Sequence, residues 1–178
     1  MNLPNKLTCL RVIMIPFCLF FLMTSFVPQS QIIALIIFLA ASFTDFLDGK
    51  IARSRNLVTN FGKFMDPLAD KLLVCSVLIC FVAKDRIPFW IVIIIIAREF
   101  IISGFRLIAS DSGIVIAASW WGKTKTVTQM ALIILLMLNI PVLHILEIIV
   151  MYIALILTVV SLVDYIAKNR QVLTHGGM

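Results

Sequence analysis

The sequence predicts an all-α, polytopic membrane protein with six transmembrane helices, and three observations carry that expectation. Hydrophobic residues make up 62% of the 178 residues and charged residues only 13%. The mean hydropathy, +1.11, is far above what the surface of a soluble domain of this length tolerates. The uncharged runs between turn signals approach the roughly 20 residues that cross a hydrocarbon core as a helix.

Taken in chain order, the first run begins near residue 7. No charge occurs from Val12 to Thr44, and Pro28-Gln29-Ser30-Gln31 divides this stretch into spans at about 7–27 and 32–48. A cleaved signal peptide is shorter and is not followed by further runs, so the first run is read as a span. The third span is expected at 67–83, and Lys84-Asp85-Arg86 separates it from a fourth at 87–105. Two more follow at 124–143 and 146–166, with Asn139-Ile140-Pro141 as the break signal. Residues 1–178 therefore read as one integral-membrane domain. Cys9, Cys18, Cys75 and Cys80 have spacings that suit neither a metal cluster nor a disulfide framework, and they read as packing residues.

The cations set the orientation through the positive-inside rule. Lys6, Arg11, Lys50, Arg53, Arg55, Lys63, Lys71, Arg106, Lys123, Lys125, Lys168 and Arg170 fall on one side, and Lys84 and Arg86 on the other. Arg98 lies within a span and completes the 15 Lys and Arg residues. The basic side, with both termini, is expected in the cytoplasm.

The same side gathers most of the acidic residues. Of nine in the chain, Asp45, Asp48, Asp66 and Asp70 fall within 45–70. The first two are spaced i, i+3 and the last two i, i+4, so each pair projects from one face of its helix. Antiparallel packing of spans 2 and 3 would bring the pairs together, and four carboxylates in a partly desolvated site need protons or cations. An all-oxygen donor set suits Mg²⁺, Mn²⁺ or Ca²⁺, and two such ions could clamp a pyrophosphate for displacement at phosphorus. The competing reading has these aspartates as helix caps or partners of Lys50, Arg53, Lys63 and Lys71, with Asp66 an N-cap before Pro67 at the first helical position. Gly49 and Ala52 leave room for a flat ligand, Arg53 can neutralise a phosphate, and Gly62 permits close approach four residues before Asp66.

Together these residues form Asp45-x2-Asp48-Gly49-x2-Ala52-Arg53-x8-Gly62-x3-Asp66-x3-Asp70. This pattern matches the signature of the CDP-alcohol phosphatidyltransferase family without departure, and the six-span layout agrees with it. The resemblance implies that Asp45, Asp48, Asp66 and Asp70 bind two divalent metal ions, Mg²⁺ or Mn²⁺. It implies that Asp48, Gly49, Ala52, Arg53 and Gly62 hold the CDP group of CDP-diacylglycerol, and that Asp70 is the base that deprotonates an acceptor hydroxyl. It also implies a homodimer in the cell membrane.

Outside the signature, the segments Asn2 to Arg11, Arg98-Glu99-Phe100 and Gly122 to Thr126 resemble the branch of that family whose acceptor is glycerol 3-phosphate. A dianionic acceptor needs cations beyond those that hold CDP. Arg98, Arg106, Lys123 and Lys125 are the candidates, with Arg98 foremost because an unpaired cation within a span is costly. The competing readings pair Arg98 with a carboxylate such as Glu99 and make the lysines interfacial anchors beside Trp120 and Trp121. His144 and His175 receive no role. Membrane lipids are expected partners and nucleic acid is not. Alternative acceptors are phosphatidylglycerol, inositol phosphate or serine; a divalent-cation transporter and an intramembrane prenyltransferase are the readings from other classes.

Overall fold

The computed structural model describes the backbone of residues 3–24, 26–54, 60–111 and 119–170, and the side chains of 5–24, 26–44, 65–110 and 119–170. Among these residues the chain is all-helical, with α1 Leu3–Met23, α2 Ser30–Ser54, α3 Asn60–Ala83, α4 Phe89–Asp111, α5 Trp120–Leu138 and α6 His144–Lys168. A single 3₁₀ turn, Pro141–Leu143, leads into α6. Two helical segments, Asn5–Met23 and Pro141–Lys168, are long and apolar enough to cross a membrane.

The helices form two units, Met1–Arg86 and Ile87–Met178. In the first, α1 packs along both α2 and α3. Its buried positions Thr8, Arg11, Ile15, Cys18 and Leu22 recur at helical spacing and form one stripe. The Cys18 Sγ donates to the Ala34 carbonyl at 3.5 Å and the Arg11 Nε to the Ala41 carbonyl at 3.3 Å. Seven residues back along α1 match seven forward along α2, so the two helices run antiparallel. Gln29, at φ 61°, makes the turn before α2. Beyond the end of α3, Asp85 lies in the left-handed region at φ 54°. The Asp85 N–H donates to the Val82 carbonyl and the Arg86 N–H to the Phe81 carbonyl, which satisfies two carbonyls of the last turn.

α3 differs from the sequence expectation at its start. It begins at Asn60, so Asp66 is not an N-cap and Pro67 lies inside the helix. Pro67 has no N–H for the carbonyl four residues earlier, so the helix continues through it with one backbone hydrogen bond fewer. α2 likewise continues past residue 48 to Ser54 and carries the first half of the signature as unbroken helix.

In the second unit, α6 packs against α4 and α5. Its buried stripe is Glu147, Met151, Ala154, Thr158, Ser161 and Tyr165. α5 contributes Lys125, Gln129, Leu132, Ile133, Leu136 and Met137. Its ends are defined by Ser119, whose hydroxyl accepts from the Gly122 N–H, and by left-handed Asn139, whose N–H donates to the Leu135 carbonyl. Large apolar side chains such as Phe17, Ile36, Leu72, Ile93, Val127 and Ile153 are exposed, one on each helix in turn. The core is itself mostly apolar, Phe38, Leu73, Ile91 and Leu132 among it, and large hydrophobics on the outside as well depart from the pattern of a water-soluble bundle.

Candidate active site

The signature occupies the C-terminal part of α2 and the N-terminal part of α3. The side chains of Asp45, Asp48, Gly49, Ala52, Arg53 and Gly62 lie outside the described residues, although their backbone is helical. Asp45 and Asp48 therefore keep their i, i+3 relation on one helix, as Asp66 and Asp70 keep i, i+4 on another.

Asp66 and Asp70 are both half-buried on α3. The Thr8 hydroxyl, 1% exposed as a residue, donates a hydrogen bond to the Asp66 Oδ1 from α1. This contact fixes the level of the second carboxylate pair against α1. The antiparallel register of α1 and α2 brings Thr8 level with Thr44, the residue before Asp45. Thr8 thus stands at the height of both halves of the signature. Arg11, fully buried one turn further along α1, sits beside it. Among the described residues no three of His, Cys, Asp and Glu gather as a metal site. Two of the four signature carboxylates are described, and their oxygen donors, one turn apart and partly shielded from water, fit a hard divalent cation.

The second unit holds the candidate cations. Arg98 and Lys125 are 7% and 2% exposed. Both donate to Glu99 Oε1, Arg98 through Nη1 at 3.0 Å. The Arg98 Nε donates to the Ser161 hydroxyl at 3.1 Å, Ser161 donates in turn to the Thr158 carbonyl at 2.9 Å, and Thr158 to the Ala154 carbonyl at 2.6 Å. One carboxylate and one hydroxyl thereby link α4, α5 and α6 through two cations. Arg106 and Lys123 are exposed and lie outside this cluster. Glu99 is a pairing partner of Arg98, as one sequence reading had it, but the pair also includes Lys125. Ser161 is absent from the sequence reading, and Thr8 and Arg11 enter it through the Asn2 to Arg11 segment and the charge bias but not as site residues. Their signal is a polar residue on the buried stripe of a helix, which becomes visible only when the buried face is known.

The sequence profile described as CDP-alcohol phosphatidyltransferase matches residues 1–160. The chain belongs to the CDP-alcohol phosphatidyltransferase family. The profile match takes in the whole signature, Thr8 and Arg11 on α1, and the cluster residues Arg98, Glu99 and Lys125. Relatives of this phosphatidyltransferase cover nearly its full length. It is 42% identical to the CDP-diacylglycerol--glycerol-3-phosphate 3-phosphatidyltransferase of Bacillus subtilis over 97% of each chain. It is 43% identical to the protein of the same name from Haemophilus influenzae over 93% of this chain and 91% of that one. A probable phosphatidylglycerophosphate synthase of Mycobacterium tuberculosis is 40% identical over 94% of this chain and 81% of its own.

Proposed function

We propose that this phosphatidyltransferase moves the phosphatidyl group of CDP-diacylglycerol to glycerol 3-phosphate, giving phosphatidylglycerophosphate and CMP. The observation that carries the acceptor is the pair of buried cations, Arg98 and Lys125, gathered on one carboxylate. Glycerol 3-phosphate brings a phosphate that the reaction leaves intact, and such a dianion is recognised by charge-assisted hydrogen bonds. The names of the Bacillus and Haemophilus relatives point to the same substrates.

The roles of the signature residues are those that the family signature implies, and the chemistry is compatible with them. The acceptor hydroxyl oxygen attacks the phosphorus that bears diacylglycerol, the bond from that phosphorus to the CMP oxygen breaks, and CMP departs with the electron pair. Asp70 takes the hydroxyl proton. Asp48, Gly49, Ala52, Arg53 and Gly62 hold the CDP group. Arg98 and Lys125 hold the acceptor phosphate, with Arg106 and Lys123 as outer cations that favour its approach. Asp45, Asp48, Asp66 and Asp70 would hold two Mg²⁺ or Mn²⁺ ions, which supply positive charge at the pyrophosphate when bound.

The same proposal has all six helices spanning the cell membrane as one domain, with the termini and the signature on the cytoplasmic side and a homodimer as the assembly. The apolar outer faces of every helix support the spans. α2 has 25 residues, or about 37 Å at the α-helical rise against a hydrocarbon core of about 30 Å. Its signature end can therefore extend into the interface, where a nucleotide headgroup lies.

The test is CMP release from CDP-diacylglycerol by detergent-purified protein offered glycerol 3-phosphate, phosphatidylglycerol, inositol phosphate or serine. Turnover with glycerol 3-phosphate alone is expected. Preference for another alcohol would overturn the acceptor, and absence of CMP release with all four would overturn the transfer.

A further inference from the structure

The Arg98 guanidinium is held on two of its three nitrogens. Nε donates to Ser161 at 3.1 Å and Nη1 to Glu99 at 3.0 Å. Two hydrogen bonds to partners on different helices leave the planar fork little freedom to rotate, so the direction of the third nitrogen, Nη2, is set. That nitrogen faces Gly122 in the first turn of α5. A Cβ added to Gly122 would stand 3.4 Å from Arg98 Nη2 and 3.5 Å from Ser119 Oγ. Glycine therefore preserves a gap of methyl size with a guanidinium edge on one side and a hydroxyl on the other. Helix geometry does not demand glycine there: it has no positive φ to accommodate, and alanine is the better helix former by about 1 kcal/mol.

From this we infer that Gly122 is a specificity-determining position for the acceptor, keeping the Nη2 edge of Arg98 open to an oxygen of the acceptor's phosphate. The inference rests on the reading of Arg98 as the cation that holds that phosphate. Ser119 fits the same role, since its oxygen accepts from the Gly122 N–H at 3.1 Å while its own proton stays available to donate. The opening residues of α5 add the positive end of a 19-residue helix. A methyl group at residue 122 would rest in ordinary van der Waals contact with Nη2, so the fold accepts it, but it would cover the edge that an oxyanion needs.

The experiment compares Gly122→Ala with Gly104→Ala, whose added Cβ meets nothing within 4 Å, and with Arg98→Ala. Gly122→Ala is expected to raise KM for glycerol 3-phosphate about tenfold, the loss of one charge-assisted hydrogen bond. It should weaken competitive inhibition by inorganic phosphate by a similar factor. The KM for CDP-diacylglycerol should stay at the wild-type value and the thermal midpoint at or above it, and Gly104→Ala should change neither substrate's KM. If Arg98→Ala raises the glycerol 3-phosphate KM and Gly122→Ala does not, this inference fails while the reading of Arg98 stands. An unchanged KM in Arg98→Ala removes the reading itself. A lowered midpoint, or an equal loss for both substrates in Gly122→Ala, assigns Gly122 to helix packing and also overturns the inference.

Discussion

The hydroxyl of Thr8 on α1 donates a hydrogen bond to the carboxylate of Asp66 on α3, the third aspartate of the signature. A neutral donor occupies one of the carboxylate's acceptor positions. It orients the carboxylate without cancelling its charge, the arrangement expected around a residue that binds a cation.

Thr8→Val keeps the shape of the side chain and deletes the donor. We expect the Mg²⁺ concentration for half-maximal activity to rise roughly tenfold, in the range seen when partners of metal-binding groups are lost. Thr8→Ser should retain most of the wild-type response. Metal titration of CMP release distinguishes the two; an unchanged half-saturation in Thr8→Val would show that the bond is only structural.

Removal of divalent ions by a chelator should abolish turnover, and Mg²⁺ or Mn²⁺ should restore it. Clustered carboxylates repel an anionic pyrophosphate unless cations intervene. Full turnover of CDP-diacylglycerol in metal-free buffer would sink the two-ion reading.

Asp70→Asn should lower kcat by about 10²-fold or more, the usual contribution of a positioned base, while leaving some CDP-diacylglycerol binding. Asp66→Asn should instead weaken metal response and donor binding together. Single-turnover rates with saturating donor separate these outcomes, and near-wild-type kcat in Asp70→Asn would exclude it as the base.

Glu99→Gln removes the charge shared by Arg98 and Lys125, with the Glu99 side chain only 14% exposed. Breaking a buried pair on one side costs about 3 kcal/mol, which corresponds to a thermal midpoint lowered by roughly 5–10 °C. Glycerol 3-phosphate should protect the variant less than it protects the wild type, because Arg98 loses one of its two anchors. Thermal unfolding in detergent with and without glycerol 3-phosphate measures both effects, and an unchanged midpoint would show that the cluster is held by other contacts.

The sequence by itself determined the class of the protein, its helical content and its family. Those properties depend on local regularities: apolar runs that match a helix, and eight signature positions at spacings that survive any packing. It also placed Asp45 with Asp48 and Asp66 with Asp70 on common helix faces, because helix periodicity alone requires this. The start of α3 escaped that logic. Asp66-Pro67 has the form of a helix entry, yet the helix begins at Asn60 and runs through the proline, since the competition between an early start and a proline cap is settled by what surrounds the segment. Only the tertiary structure decided that Thr8 meets Asp66, that Arg98 and Lys125 share Glu99 while Arg106 and Lys123 stay exposed, and that Gly122 opens onto one guanidinium edge. The physical reason is that hydropathy reports which side of a helix avoids water, whereas the partner of a buried polar group depends on the register between helices distant in sequence. In an apolar bundle that register is chosen largely by the polar groups themselves, which must find one another because no water is there to satisfy them.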